Sequence, residues 1–259
     1  MTRLARLLLA VTVLAVLGGF AETPAPKDER DPKAVGHAQK ELEAMGGKSW
    51  ESARFFRFDF VVELPDRKVG PFAHYWDRYT GRYRVDTPGE KGYQAWFNVN
   101  NAKDASQAVL MRGGARLAGE DAEKALKNAY GRYINDSYWL LAPLKSMDPG
   151  VNLAYDGEAE FAGKKAHVIR LSFNGVGLTP GDVYKHFLDA DTHRMLGWEY
   201  QLQNTQPPPT RWRWEDQKEF AGLVLSLKKV KDDGTATIRF ENVAVGKEVD
   251  EAALTPPKG

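Results

Sequence analysis

Chemistry in this chain of 259 residues would have to come from five histidines and its charged side chains, because it contains no cysteine. The lack of cysteine removes disulfides, thiol nucleophiles and cysteine metal centres. Of the histidines, His186 and His193 flank the turn that carries Asp189 and Asp191. A hairpin there could bring two imidazoles and two carboxylates around one metal ion. Spacing of this kind is weak evidence on its own, and an exposed polar turn between two strands is the simpler reading. Arg211, Arg213 and Arg239 fall on the polar faces of strand patterns. They are candidates for an anionic head group, or solvated arginines lying over their neighbours. There is no G-x-S-x-G, no H-E-x-x-H, no phosphate loop and no dinucleotide fingerprint. The expectation is therefore no catalytic residue, no metal and no cofactor.

The elements that would position any site centre on residues 136–153, DSYWLLAPLKSMDPGVNL. A helix predicted over 120–141 runs into this stretch. Its apolar stripe is Ala122, Ala125, Leu126, Ala129, Tyr133, Ile134, Tyr138 and Leu141. Pro143 halts the helix, and Asp148-Pro149-Gly150 makes a turn. An earlier helix starts at Asp31-Pro32, a capping residue followed by proline, and ends at Gly46-Gly47. Its expected inward stripe is Val35, Ala38, Leu42 and Met45. Trp50 should anchor that helix end to a sheet.

Elsewhere the pattern is strand. Phe56, Phe58, Phe60 and Val62 alternate with Arg57, Asp59 and Glu63, the period of a strand wetted on one side. Hairpins are predicted around Tyr79-Thr80-Gly81 and Asn100-Asn101. Seven more strands follow residue 150. The clearest sets Leu196, Trp198, Tyr200 and Leu202 against Gly197, Glu199, Gln201 and Gln203, and Trp212 and Trp214 oppose Arg211, Arg213 and Glu215. So many one-sided strands with only two helices to cover them predict a mainly β fold. It is a curved antiparallel sheet, an incomplete barrel, wrapped around a helical plug.

Residues 1–21 read as a signal peptide: Arg3 and Arg6, an apolar run from Leu7 to Leu17, then small residues ending at Ala21. The run is shorter than the ~18 residues a spanning helix needs. Residues 22–31 read as a disordered lead-in, 32–250 as one domain, and the final TPPKG as a frayed tail. Thirty-six basic against 35 acidic residues give a net charge of +1, which points to neither nucleic acid nor an anionic membrane.

Four segments carry a family resemblance: MGGKSW at 45–50, GRYINDSYWLLAPLKSMDPGVNL at 131–153, VGLTPGDVYKHFLDADTHRM at 176–195 and RFENVAV at 239–245. Together they resemble an exported bacterial family of unknown function grouped with the outer-membrane lipoprotein-sorting proteins, the LolA/LolB-like superfamily. The resemblance implies an antiparallel half-barrel around helices whose concave face takes acyl chains or other hydrophobic ligands. On this reading the chain is a periplasmic binding protein or carrier for a hydrophobic, lipidic or acyl-chain ligand, a lipoprotein among the candidates. Neither nucleic acid nor a membrane segment after cleavage is expected. The expected ligand-binding residues are Phe56, Phe58, Phe60, Tyr133, Trp139, Leu140, Trp198, Tyr200 and Trp212, with Pro143, Pro149 and Gly150 bounding a movable plug. The alternatives are a metal-dependent periplasmic hydrolase using the His186/His193 hairpin, and a protein-interaction module whose cavity is filled by side chains.

Overall fold

The computed structural model describes residues 28–257, so the predicted signal peptide and the first part of the lead-in lie outside the described residues. Thirteen strands form one antiparallel sheet. Its first run is β1 (Phe55–Leu64), β2 (Arg67–Asp77), β3 (Arg82–Asp86), β4 (Gln94–Asn98), β5 (Val109–Arg112) and β6 (Ala115–Arg116). Its second run is β7 (Val151–Phe161), β8 (Lys164–Phe173), β9 (Val183–Asp189), β10 (Met195–Gln201), β11 (Thr210–Phe220), β12 (Leu223–Lys231) and β13 (Thr237–Gly246). Each run is an up-and-down meander. Pairing of β1 with β13 joins them, which leaves β6 and β7 at opposite edges.

That order explains the curvature. The chain leaves the sheet at β6 and must re-enter at β7, on the far edge. It does so through α3 (Gly119–Leu141), a helix of 23 residues, and a turn of 3₁₀ helix at Ala142–Leu144. At 1.5 Å per residue such a helix is about 35 Å long. A flat sheet of this many strands would be about 58 Å wide at 4.8 Å per step. The sheet therefore curls around α3, and the open half-barrel expected from the strand pattern is the fold observed.

The two long helices expected from the sequence are α1 (Pro32–Met45) and α3; two short ones, α2 (Lys48–Ser52) and α4 (Glu251–Leu254), accompany them. Asp31 caps α1, its carboxylate accepting from the Lys33 amide at 2.7 Å, and proline begins the helix. The buried stripe of α1 is Ala34, Ala38, Glu41 and Met45, rotated from the expected one so that a glutamate faces inward. Trp50 packs edge-on to Phe56 at 6.0 Å and under the Arg78 guanidinium at 4.1 Å, fixing the helix end to the sheet.

Two boundaries differ from the sequence reading. Residues 28–31 are ordered rather than a loose lead-in. Arg30 makes a parallel bridge with Leu153 and donates to the carbonyls of Val151 and Asp148, while Asp28 accepts from the Gly150 amide. The globular unit also runs past residue 250. The Ala253 carbonyl in α4 accepts from the Trp96 indole at 3.1 Å, and Glu251 pairs with Arg82 at 2.7 Å.

The clean alternation predicted for β10 is broken by a bulge between Met195 and Gly197. Met195 and Trp198 enter the main core, but Leu196 joins a small outer cluster of Phe161, Ala166, Val168 and Phe187. Gly197 lies under Phe161, where a Cβ would come within 2.6 Å of the ring. The outer face here is thus partly apolar rather than wet, with Arg211 covering Phe161 and Phe187 at 5.5 and 5.3 Å.

At the β2–β3 turn Asp77 is fully buried. Its carboxylate takes two 2.9 Å bonds from Arg54, one of 2.7 Å from Thr80 and one of 3.2 Å from Arg82. The Arg54 bonds, with those from Thr80 and Arg82, hold its pKa far below the ordinary 3.8 against the opposing effect of burial. A depressed carboxylate stabilises the fold above its unfolded pKa and loses that contribution as pH falls below it. Asp77→Asn should therefore cost about 2 kcal/mol at pH 7 and progressively less below pH ~4. Urea midpoints at the two pH values check this; an equal loss at both would refute it.

Candidate functional site

The space between α3 and the concave face is lined by aromatic side chains, because many inward positions of β1, β2, β10 and β11 are aromatic. The expected ligand-binding residues divide into two groups along α3. At its middle, Tyr133 meets Trp76 and Tyr83 at 5.5 and 4.9 Å; Phe56 packs on Trp76 at 5.7 Å, and Phe58 and Phe60 pack on Phe240 at 5.7 and 5.5 Å. At its end, Trp139 is perpendicular to Trp198 at 4.5 Å and Trp212 at 4.9 Å, with Tyr200 at 6.1 Å. Leu140 lies in the same core at 1% exposure. Phe56, Phe58, Phe60, Trp139, Leu140, Trp198 and Trp212 are buried, whereas Tyr133 and Tyr200 are half-buried.

From Asp136 to Leu144 the helix end is enclosed on nearly every side, so this segment is a plug in the literal sense. Beside it the half-buried rings of Tyr138, Tyr184, Tyr200 and Phe173 form a continuous seam, with neighbouring centroids 5.5–5.8 Å apart. Burial raises the hydroxyl pKa of Tyr138 and Tyr184, so both stay neutral hydrogen-bonding groups in the seam. The loop after β8 joins Phe173 to the strand that carries Tyr184, so it borders this seam. Val176 and Leu178 in it are 40% and 39% exposed, and they rank among the few exposed large apolar side chains of the described residues. The loop is seated by the Asn174 amide on the Gly150 carbonyl at 2.8 Å and by Val176 against Gly150. Gly150 has φ +84°, and a Cβ there would come within 2.5 Å of Val176, so glycine is required at this contact. A second loop, between β10 and β11, is tied to the first by Gln203, which accepts from the Gly181 amide at 3.0 Å and donates its own amide to Asp182 at 2.9 Å.

Two polar clusters that the sequence reading missed fix the helices to the sheet. The first joins α3 to β2 and β3. His74 Nε2 lies 3.1 Å from Asp136, and the Tyr83 hydroxyl lies 2.8 Å from His74 Nδ1. A carboxylate only accepts, so the shared proton sits on Nε2. Arg132 reaches Asp136 at 3.4 Å across one helical turn. Burial, with the Asp136 charge behind it, pushes the Tyr83 hydroxyl pKa well up. The second cluster joins α1, the plug and β9. The Ser146 hydroxyl donates to Glu41 at 2.8 Å and His186 Nδ1 donates to its other oxygen at 2.9 Å, all three being buried. This arrangement is no nucleophile–base pair, because serine bonds the carboxylate instead of the imidazole. A signal was present in the sequence for His74, which alternates with Phe72 and Trp76 on the inward face of β2, whereas Glu41 lay beside the stripe expected of α1 and was turned inward only by the seat of that helix.

His186 is therefore buried on Glu41 rather than part of an exposed polar turn, which also counts against the alternative in which it shares a metal-binding hairpin with His193. The outer arginines are paired as well, Arg211 with Glu199 at 2.9 Å, Arg213 with Asp232 at 3.1 Å and Arg239 with Glu63 at 2.8 Å. That leaves them poor candidates for an anionic ligand. His193 instead meets His37 of α1 and His167 of β8. One nitrogen from each of these three rings lies within 4.8 Å of the others.

Among proteins of known structure, this shape recurs in a DUF1329 family protein from Desulfovibrio piger, with a TM-score of 0.50 and 10% identity over 86% of this chain and 97% of that one. At that identity the likeness is one of fold, and it places the chain in the class of open antiparallel half-barrels. A domain named as an outer membrane lipoprotein-sorting protein from Vibrio parahaemolyticus aligns at TM-score 0.48 and 8% identity, over 86% of this chain and 96% of its own. A LolA superfamily protein from Nitrosomonas europaea aligns at 0.44 and 10%, over 86% and 97%. No protein-family model matches the sequence, and no curated protein matches it either. No described helix is long and apolar enough to cross a membrane.

Proposed function

We propose that this chain is an exported, periplasmic binding protein or carrier for a hydrophobic, acyl-chain-bearing ligand, taken up between α3 and the concave face of the half-barrel. The observation that carries the reading is the half-buried aromatic seam of Tyr138, Tyr184, Tyr200 and Phe173, with exposed Val176 and Leu178 in the loop that joins two of its strands. Apolar groups half-open to water gain by covering one another with an apolar guest, and each CH₂ so buried contributes about 0.8 kcal/mol without a polar partner. The buried rings behind the seam, Trp139, Trp198 and Trp212, continue the same surface inward. Shifting the plug between Pro143 and Gly150 would open that path.

Leu140 is too deeply buried to test this, since a charge there would unfold the core. The exposed loop is the better place. Wild type, extracted gently, should carry a lipid visible by native mass spectrometry and, after delipidation, take up a fluorescent fatty acid. Val176→Asp with Leu178→Asp should weaken uptake about 10-fold or more, as two lost apolar contacts of about 1 kcal/mol each imply, with an unchanged far-ultraviolet spectrum. If wild type carries no lipid and takes up no probe, the interior is filled by its own side chains and the protein-interaction reading replaces this one.

A further inference from the structure

We propose that His37, His167 and His193 form a binding site for a single Zn²⁺ ion that ties α1 to β8 and to the turn before β10. Three of the chain's five histidines, far apart in sequence, converge here. Their ring centroids are 4.1 Å apart for His37 and His167, and 5.4 Å for each of these with His193. His37 Nδ1 and His193 Nε2 are separated by 3.3 Å. Two imidazole nitrogens bound to one tetrahedral zinc at 2.0–2.1 Å are also about 3.3 Å apart. The third ring has a nitrogen within 4.8 Å, and all three side chains are half-buried, so side-chain torsions alone can close the set.

The surroundings are those of a ligand set. The Tyr155 hydroxyl lies 3.2 Å from His167 Nδ1, and Glu158 lies 3.7 Å from the same atom. These contacts occupy Nδ1 and leave Nε2 for the metal, the usual role of an outer partner. His37 stacks on Tyr155 at 5.0 Å, which limits its rotation. His193 sits at φ +57°, a left-handed conformation uncommon for a residue other than glycine. It is held there by its amide on the Asp189 carbonyl at 2.8 Å, while the Asp189 carboxylate accepts from the amides of Asp191 and Thr192. The turn thus aims the imidazole back at α1. Lys33 and Lys40 act against a cation here, and Asp189 and Glu158 offset them. Neutral imidazoles without thiolate suit zinc, copper and nickel alike, and zinc fits a three-ligand tetrahedral set with one position open to water.

The test uses the full chain stripped with chelator and zinc chloride alone. Calorimetric titration should give one ion per chain, and unfolding temperature should rise with zinc concentration because the ion binds the folded state. Co²⁺ at the same site should show the visible absorption of tetrahedral cobalt. His37→Gln, His167→Gln and His193→Asn, the last chosen because asparagine tolerates positive φ, should each weaken binding by at least ~100-fold, the upper end for losing even an outer partner. Absence of one-to-one binding in wild type overturns the proposal. So does unchanged affinity in any of these variants that keeps its far-ultraviolet spectrum. Should the variants not fold, the wild-type stoichiometry and the cobalt spectrum decide. Fatty-acid uptake is read on the metal-free protein, so failure of either proposal leaves the other standing.

Discussion

Trp198→Ala should lower the stability of the protein by ~3–5 kcal/mol, the cost of deleting a buried aromatic side chain. Trp198 is 1% exposed and touches the rings of Trp139, Tyr138, Tyr184 and Trp214 at 4.5, 5.7, 5.1 and 5.1 Å. It is the point at which the end of α3 meets the second meander, so its loss also loosens the plug. Urea denaturation at constant m-value measures the change. An unchanged midpoint would mean that the α3 end does not rest on β10. The void left behind is apolar and adjoins the seam. Free indole should therefore bind it and restore part of the lost midpoint, as small apolar molecules fill engineered cavities elsewhere.

Asp136→Ala should be as damaging, again ~3–5 kcal/mol, for an electrostatic reason. His74 and Asp136 are both at 0% side-chain exposure, with Phe58 stacked on the imidazole at 4.6 Å and Phe72 under Arg132 at 3.6 Å. Removing the carboxylate leaves a buried imidazole N–H and a guanidinium without their acceptor. The apolar double replacement Asp136→Leu with His74→Phe should recover much of the loss, because it removes the buried donor together with its acceptor. The cycle of wild type, two single variants and the double variant reads the coupling between α3 and β2 directly. A single-variant loss below ~1 kcal/mol would show that water reaches this pair.

Features that depend on local periodicity were legible along the chain. Alternation of Phe56, Phe58 and Phe60 with charged residues placed those rings on the inward face of a strand, although Phe55, Asp59 and Val61 on its other face are buried too; Asp31-Pro32 specified where α1 starts, and the excess of strands over helices specified an open curved sheet around a plug. Such features repeat every two residues or every three to four, so a short window contains them. Contacts between elements that no short window contains emerged with the packed fold. The pairing of β1 with β13 and the consequent crossing of α3 from edge to edge are of this kind. So are His186 turning to Glu41 and His193 turning to His37. The bulge at Met195–Gly197 moved Leu196 to the outer face, because one extra residue reverses a two-residue period. Which histidines share a neighbour is set by the curl of the sheet and the seat of α1 upon it, and neither leaves a trace in the spacing of the histidines along the chain.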